Sequence, residues 1–361
     1  MTTTAIKNAQ VYNLESGQFS KQTVIINEGK ISSVSSPTEL LPECNQIDAT
    51  GLYLTPGFID TCSQIGLKEI GIRWEGNDGY EPHEENGYHL DVVDGIYPFD
   101  KAFQDAVAAG VTAAHIVTSP EAVVGAKTAV IHTHGQTVDE MILNQHLGYS
   151  FSMGDVPKRA FWEKTKSPLT RMGIAQKIRS SLQVLQNTAK LQEVPIFIRS
   201  HRADDIVTAI RIAEEFSLPF ILVHGTEYPM LPPQHHDHIS VIAGPCFQPM
   251  ERGELKHLDP ALYQTLFEQR VPFTFATDHP VSSVGHLQME GCLALKAGVP
   301  EKVIMNGLTK DAAKLLKIDQ LTGSIQEGLL ADLVLWNKHP LELTARAVRT
   351  FIEGKEVYRW E

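Results

Sequence analysis

The sequence predicts an α/β fold: a (β/α)8 barrel over residues 55–320, joined to a small β-sandwich domain built from both chain ends, residues 1–54 and 321–361. Three observations predict it. Both ends of the chain are β-rich. Between them, short apolar strands alternate with helical segments, as a parallel α/β fold requires. A chain of 361 residues with 42% hydrophobic content also suffices for one barrel plus an accessory layer.

The N-terminal part alternates in short runs: Ala5–Tyr12, Thr23–Ile26 and Lys30–Val34. Glu15-Ser16-Gly17 and Asn27-Glu28-Gly29 separate them as turns, giving a meander. Ile47–Leu54 then leads into the apolar, Pro-Gly-bounded run Leu54–Asp60, the first barrel strand. Further strands are expected at Val111–Val117, Thr128–His134, Leu147–Met153, Pro195–His201, Pro219–His224, His238–Gly244 and Val271–Asp278. Leu147–Met153 fits a loop as well as a strand. Helices are expected at Phe99–Ala109, Met172–Leu191, Ala203–Phe216 and Leu287–Gly298. In Ala203–Phe216 the residues Ile206, Ile210 and Ala213 recur at helical spacing, and Asp204 and Asp205 sit in the first turn. Eight such βα units close a barrel with its chemistry at the C-terminal strand ends. At the far end, Leu329–Trp336 and Val348–Tyr358 return to β character, the latter as a hairpin around Glu353-Gly354.

Composition narrows the function. Charged residues are only 20% of the chain, too few for a disordered polymer, and the net charge of −12 opposes non-specific binding to nucleic acid or anionic membrane. No apolar run reaches spanning length, and Met1-Thr2-Thr3-Thr4 lacks a basic-then-apolar signal region, so a cytoplasmic location is expected. Cys44, Cys62, Cys246 and Cys292 are scattered without a Cys-x-x-Cys pair and read as reduced thiols. Glycine-rich phosphate-binding fingerprints are absent. A small molecule is the expected partner.

Three stretches carry a family resemblance. They are Pro56-Gly57-Phe58-Ile59-Asp60, then His201-Arg202-Ala203-Asp204-Asp205-Ile206, and the pattern from Gly323 through Ile325, Gly328 and Ala331-Asp332-Leu333-Val334. The chain resembles the amidohydrolase superfamily, in particular imidazolonepropionases and dihydroorotase-like enzymes. The resemblance covers nearly the whole chain. It implies hydrolysis of a non-peptide C–N bond, often in a cyclic amide, with a divalent metal, zinc by preference, lowering the pKa of bound water. It also implies metal ligands His201, His224 and Asp278, with Asp278 as the proton shuttle. A homo-oligomer is usual among such barrels.

Several positions depart from the family pattern. The strand-one motif Pro-Gly-Phe-Ile-Asp-x-His-x-His reads Cys62 and Gln64 at its two histidines. They read either as small polar fillers or, for Cys62, as a thiolate ligand or nucleophile. Arg199 occupies the strand-five ligand position; a guanidinium cannot bind metal, but it can restore positive charge and hold a carboxylate. His132 and His134 share one side of their strand, as a relocated metal pair or as polar barrel-top residues. The segment Arg73–Glu85 reads as a polar loop in which Trp74, Asn77 and Asp78 contact ligand and Glu75 or His83 replaces a lost ligand, or else as a solvated acidic lid. Gln234–His238 reads as a metal collector or an exposed turn.

Two functions follow: a hydrolase of the amidohydrolase type with a mononuclear or rearranged metal site, or a catalytically inactive relative that binds a small acidic ligand. Fold alone does not separate them.

Overall fold

The structure, a computed structural model, describes residues 3–36, 44–82, 86–163, 168–188, 191, 194–233 and 239–361. The N-terminal strands are β1 (Thr4–Asn13), β2 (Gln18–Asn27), β3 (Lys30–Ser35), β4 (Asn45–Asp48) and β5 (Tyr53–Pro56). The barrel strands are β6 (Phe58–Ser63), β7 (Val111–Ile116), β8 (Val124–His132), β9 (Ile142–Ser152), β10 (Ile196–Ser200), β11 (Phe220–His224), β12 (Ile239–Ala243) and β13 (Phe273–Phe275). The chain ends in β14 (Leu333–Trp336), β15 (Ala347–Ile352) and β16 (Lys355–Arg359). The helices are α1 (Lys101–Ala108), α2 (Val138–Met141), α3 (Asp155–Glu163), α4 (Arg171–Thr188), α5 (Ala203–Phe216), α6 (Ala261–Glu268), α7 (Leu287–Lys296), α8 (Glu301–Leu308) and α9 (Lys310–Leu315).

The two chain ends do share one sheet. Its order is β16-β15-β14-β5-β1-β2-β3, with β4 also on β1. The strands are hydrogen-bonded along one path, and an antiparallel bridge between Lys30 and Leu330 brings the β3 end of that path back beside the chain entering β14. Ile6, Val24, Leu54, Leu333 and Phe351 bury its inner face. The chain then steps from this sheet into the barrel at Gly57. A Cβ there would lie 1.9 Å from Thr112 Oγ1, so only glycine fits.

Strands β6 to β13 form the second sheet in sequence order. Its edges meet through a parallel bridge between Ser63 and His279. Two backbone bonds support that closure, Asp278 N to Cys62 O and Gln64 N to His279 O, both 2.9 Å. Ile59, Val130, Phe197, Val223 and Ile242 fill the interior, and Ala312, Ala313 and Leu316 belong to the same cluster. The amphipathic helix α5 buries Ile206, Ile210 and Ala213, as its spacing predicts.

The barrel is not the all-parallel (β/α)8 array expected. Strand β8 pairs antiparallel with both β7 and β9. The cause is the connection: residues 117–123 between β7 and β8 are too few for a helical crossover, so the chain turns back as a hairpin. His132, at the end of β8, consequently pairs with Ala113 near the start of β7. This reversal moves it from the barrel mouth to the opposite end. Among the described residues, no helix is long and apolar enough to cross a membrane.

Candidate active site

The C-terminal ends of β6, β10, β11 and β13 bring Cys62, Arg199, His201, His224 and Asp278 together. His224 and Asp278 have φ of 77° and 48°, left-handed values that cost a non-glycine residue about 1–3 kcal/mol. Each is held there by a fixed backbone partner. His224 Nδ1 donates to Gly244 O at 2.8 Å, and the Asp278 amide donates to Cys62 O. The strain turns both side chains into one buried cluster.

Arg199 is the centre of that cluster. Its Nη1 lies 2.5 Å from Asp278 Oδ1 and 3.4 Å from His224 Nε2, while Nη2 donates to Thr118 O at 3.3 Å. Arg199 and Asp278 are only 3% and 4% exposed, so little water screens the pair. Burial works to raise the Asp278 pKa, but the Arg199 guanidinium and His224 outweigh it and hold the carboxyl below its usual range. The second oxygen, Oδ2, stands 3.7 Å from His224 Nε2.

The two histidines stack with ring centroids 4.4 Å apart and planes at 7°. Burial pulls His224 down to about 4 and His201 well below the ordinary imidazole value, so both rings are neutral at pH 7. Their tautomers follow from their partners. A carbonyl only accepts, so His224 carries its proton on Nδ1 and presents a lone pair at Nε2. His201 Nε2 accepts from Arg252 Nη2 at 3.4 Å, so its Nδ1 donates to Thr226 Oγ1 at 2.8 Å.

Beneath lie two further acids. Cys62 Sγ is 3.8 Å from Asp278 Oδ1, and burial pushes its thiol well above the ordinary value. A neutral thiol in that position is a poor nucleophile and a poor ligand. Asp60, fully buried, accepts from the Thr277 amide at 3.0 Å and from the Thr277 hydroxyl. Burial raises it to about 7 despite those bonds. Gln64 accepts from Ser119 Oγ at 2.5 Å. It is held as a buried hydrogen-bonding group.

Other sequence-selected residues lie elsewhere. His132 Nε2 is 3.0 Å from Asp332 Oδ2, tying the barrel foot to the end of the outer sheet, and His134 is exposed beside it. Neither shares a site with His201 and His224, because the reversal of β8 put them at the other end. Trp74 is 84% exposed, and Glu75 and Asp78 are exposed as well. Trp74, Asn77 and Asp78 make no hydrogen bond or ion pair with Arg199, His201, His224 or Asp278 among the described residues. Asp78 lines a cavity of about 430 Å³ with Tyr97 and with Thr118, whose carbonyl accepts from Arg199 Nη2. His83 and Gln234–His238 lie outside the described residues.

Sequence reasoning missed Arg252, Thr226 and the role of Asp60. Asp60 had a signal, the motif residue quoted for the resemblance. Arg252, in the loop after β12, had none.

A zinc centre of the implied kind needs the His201 and His224 Nε2 lone pairs and the Asp278 carboxylate. All three face guanidinium groups: Arg252 at His201, and Arg199 at both His224 and Asp278. A cation placed among them would meet fixed positive charge. No group of three or more His, Cys, Asp or Glu side chains among the described residues could hold a metal ion. The residues present do not fit that centre.

Comparison with known proteins accords with this architecture. Residues 230–357 match the model of the amidohydrolase family. The curated amidohydrolase tasK of Hapsidospora irregularis is 22% identical over 92% of this chain, and the chain spans 39% of that protein's length. An adenosine deaminase from Xanthomonas campestris, solved with bound zinc, shares the fold at a TM-score of 0.62 and 14% identity, over 99% of this chain and 93% of that one. The crystal structure of an amidohydrolase from Thermotoga maritima superposes with a TM-score of 0.92 at 32% identity, covering 99% of this chain and 100% of that one. The chain belongs to the amidohydrolase family.

Proposed function

We propose that this protein is a hydrolase that cleaves a non-peptide C–N bond, a cyclic amide being the first substrate class to test, with water activated at the barrel mouth. Family membership supports hydrolysis. The observation that carries the reading is the divided carboxylate of Asp278: one oxygen is held by Arg199, and the other faces the neutral His224.

That division suits proton transfer. Asp278 Oδ2 takes a proton from water as the water oxygen bonds to the carbonyl carbon. Charge then develops on the carbonyl oxygen, beside the fixed positive charge of Arg199. The C–N bond breaks, and the same carboxyl returns the proton to the departing nitrogen. His224, uncharged and locked by Gly244 O, keeps its Nε2 lone pair toward the cluster and orients the water.

The binding-only alternative has less behind it, because Asp278 and its approach geometry are retained. The test is a panel of lactams, hydantoins and dihydropyrimidinones, followed by ring-opening absorbance on protein with and without Asp278→Asn. Turnover that the substitution abolishes supports the proposal. Turnover unchanged in Asp278→Asn, or none on any member, overturns it.

A further inference from the structure

We infer that Arg252 and Arg199 form a two-guanidinium clamp for a carboxylate on the substrate, with Arg252 the residue that selects for it. The inference rests on the hydrolase reading for the word substrate, but not for the binding itself.

The two stacked imidazoles present their Nε2 atoms to two different guanidiniums, each at 3.4 Å. Such lengths lie at the outer limit of a hydrogen bond, so these N–H donors are only lightly committed. A carboxylate carries a full negative charge that a neutral imidazole lacks, and it would form shorter, bidentate bonds with guanidinium donors. Donor capacity also remains. A guanidinium has five N–H groups. Arg199 spends its Nη atoms on Asp278, His224 and Thr118, and Arg252 spends its own on Asp155 and His201. Neither Nε has a hydrogen-bond partner among the described residues.

Position divides the labour. The Arg199 side chain is 4% exposed and lies against Asp278, whereas that of Arg252 is 22% exposed. A solvent-borne anion therefore meets Arg252 first. Asp155, 3.0 Å away, fixes the Arg252 fork without covering it. The planar fork matches a carboxylate in a way an ammonium does not. Positive charge at this site is supplied by the Arg199 and Arg252 side chains, which favours an anionic group over a neutral one.

The experiment is calorimetric titration of the full chain, purified without added metal and dialysed against EDTA. Succinate is the probe and succinamide its neutral counterpart. Succinate should bind and succinamide should not. Arg252→Gln should weaken succinate by about tenfold or more, and Arg252→Lys, which keeps the charge beside Asp155, should fall between. Matching melting temperatures for the three proteins show that the fold is intact. Equal affinity in Arg252→Gln, equal binding of succinamide, no succinate binding, or binding that requires stoichiometric zinc each overturns the clamp. Succinate binding without turnover on any amide would instead overturn the hydrolase and leave the clamp standing.

Discussion

Arg199 Nη1 and Asp278 Oδ1 lie 2.5 Å apart in a site where both side chains are almost wholly buried. Removing one partner leaves the other charged and unsolvated. Arg199→Met should therefore destabilise the fold by about 3–5 kcal/mol. Urea unfolding checks this, and the double variant Arg199→Met/Asp278→Leu should recover much of the loss. An Arg199→Met protein as stable as the parent would mean that the pair does not form.

Asp278→Asn keeps the shape of the side chain but cannot take up a proton. Turnover should fall by about 10²–10⁴-fold with little change in KM, the loss expected for a missing general base. Steady-state kinetics on the best cyclic amide would measure it.

The acid limb of the rate profile should lie low. Asp278 stays ionised below the usual carboxylate range, because Arg199 and His224 outweigh burial, and His224 stays neutral down to about 4. Activity should hold from neutral pH to about 5 and fall only nearer 4. A midpoint close to the ordinary histidine value would show that His224 is not the desolvated, neutral imidazole seen here.

Stability should carry an opposite signature from Asp60. Its folded value, about 7, lies above the ordinary 3.8. The folded state therefore binds the extra proton between these values. The contribution is complete below the unfolded pKa and lost as pH rises toward 7. Asp60→Asn should remove that slope, on the order of 1 kcal/mol per pH unit, from a plot of melting free energy against pH. Superimposable slopes for the two proteins would refute the assignment.

Cys62 offers a negative control. Burial and the neighbouring carboxylates keep it a thiol, so Cys62→Ser should keep activity within about threefold, and iodoacetamide should leave the native residue unmodified. Rapid alkylation with loss of turnover would make it a nucleophile after all.

Local pattern determined a good deal of this molecule. Alternation of β-branched runs with helical spacing marked the barrel segments, and β-rich ends marked the shared outer sheet. Asp278 and His224 were visible as strand-end polar residues, and Arg199 as a cation in a ligand position. These signals survive in one dimension because side-chain period and turn chemistry act over a few residues. Tertiary structure alone decided the remainder. The direction of β8 removed His132 and His134 from the mouth, and strand closure through Ser63 and His279 set Asp278 against Cys62. Arg252 reached His201 across 51 positions of chain. Which charges meet depends on strand direction and barrel closure, properties of the whole sheet that no short stretch encodes.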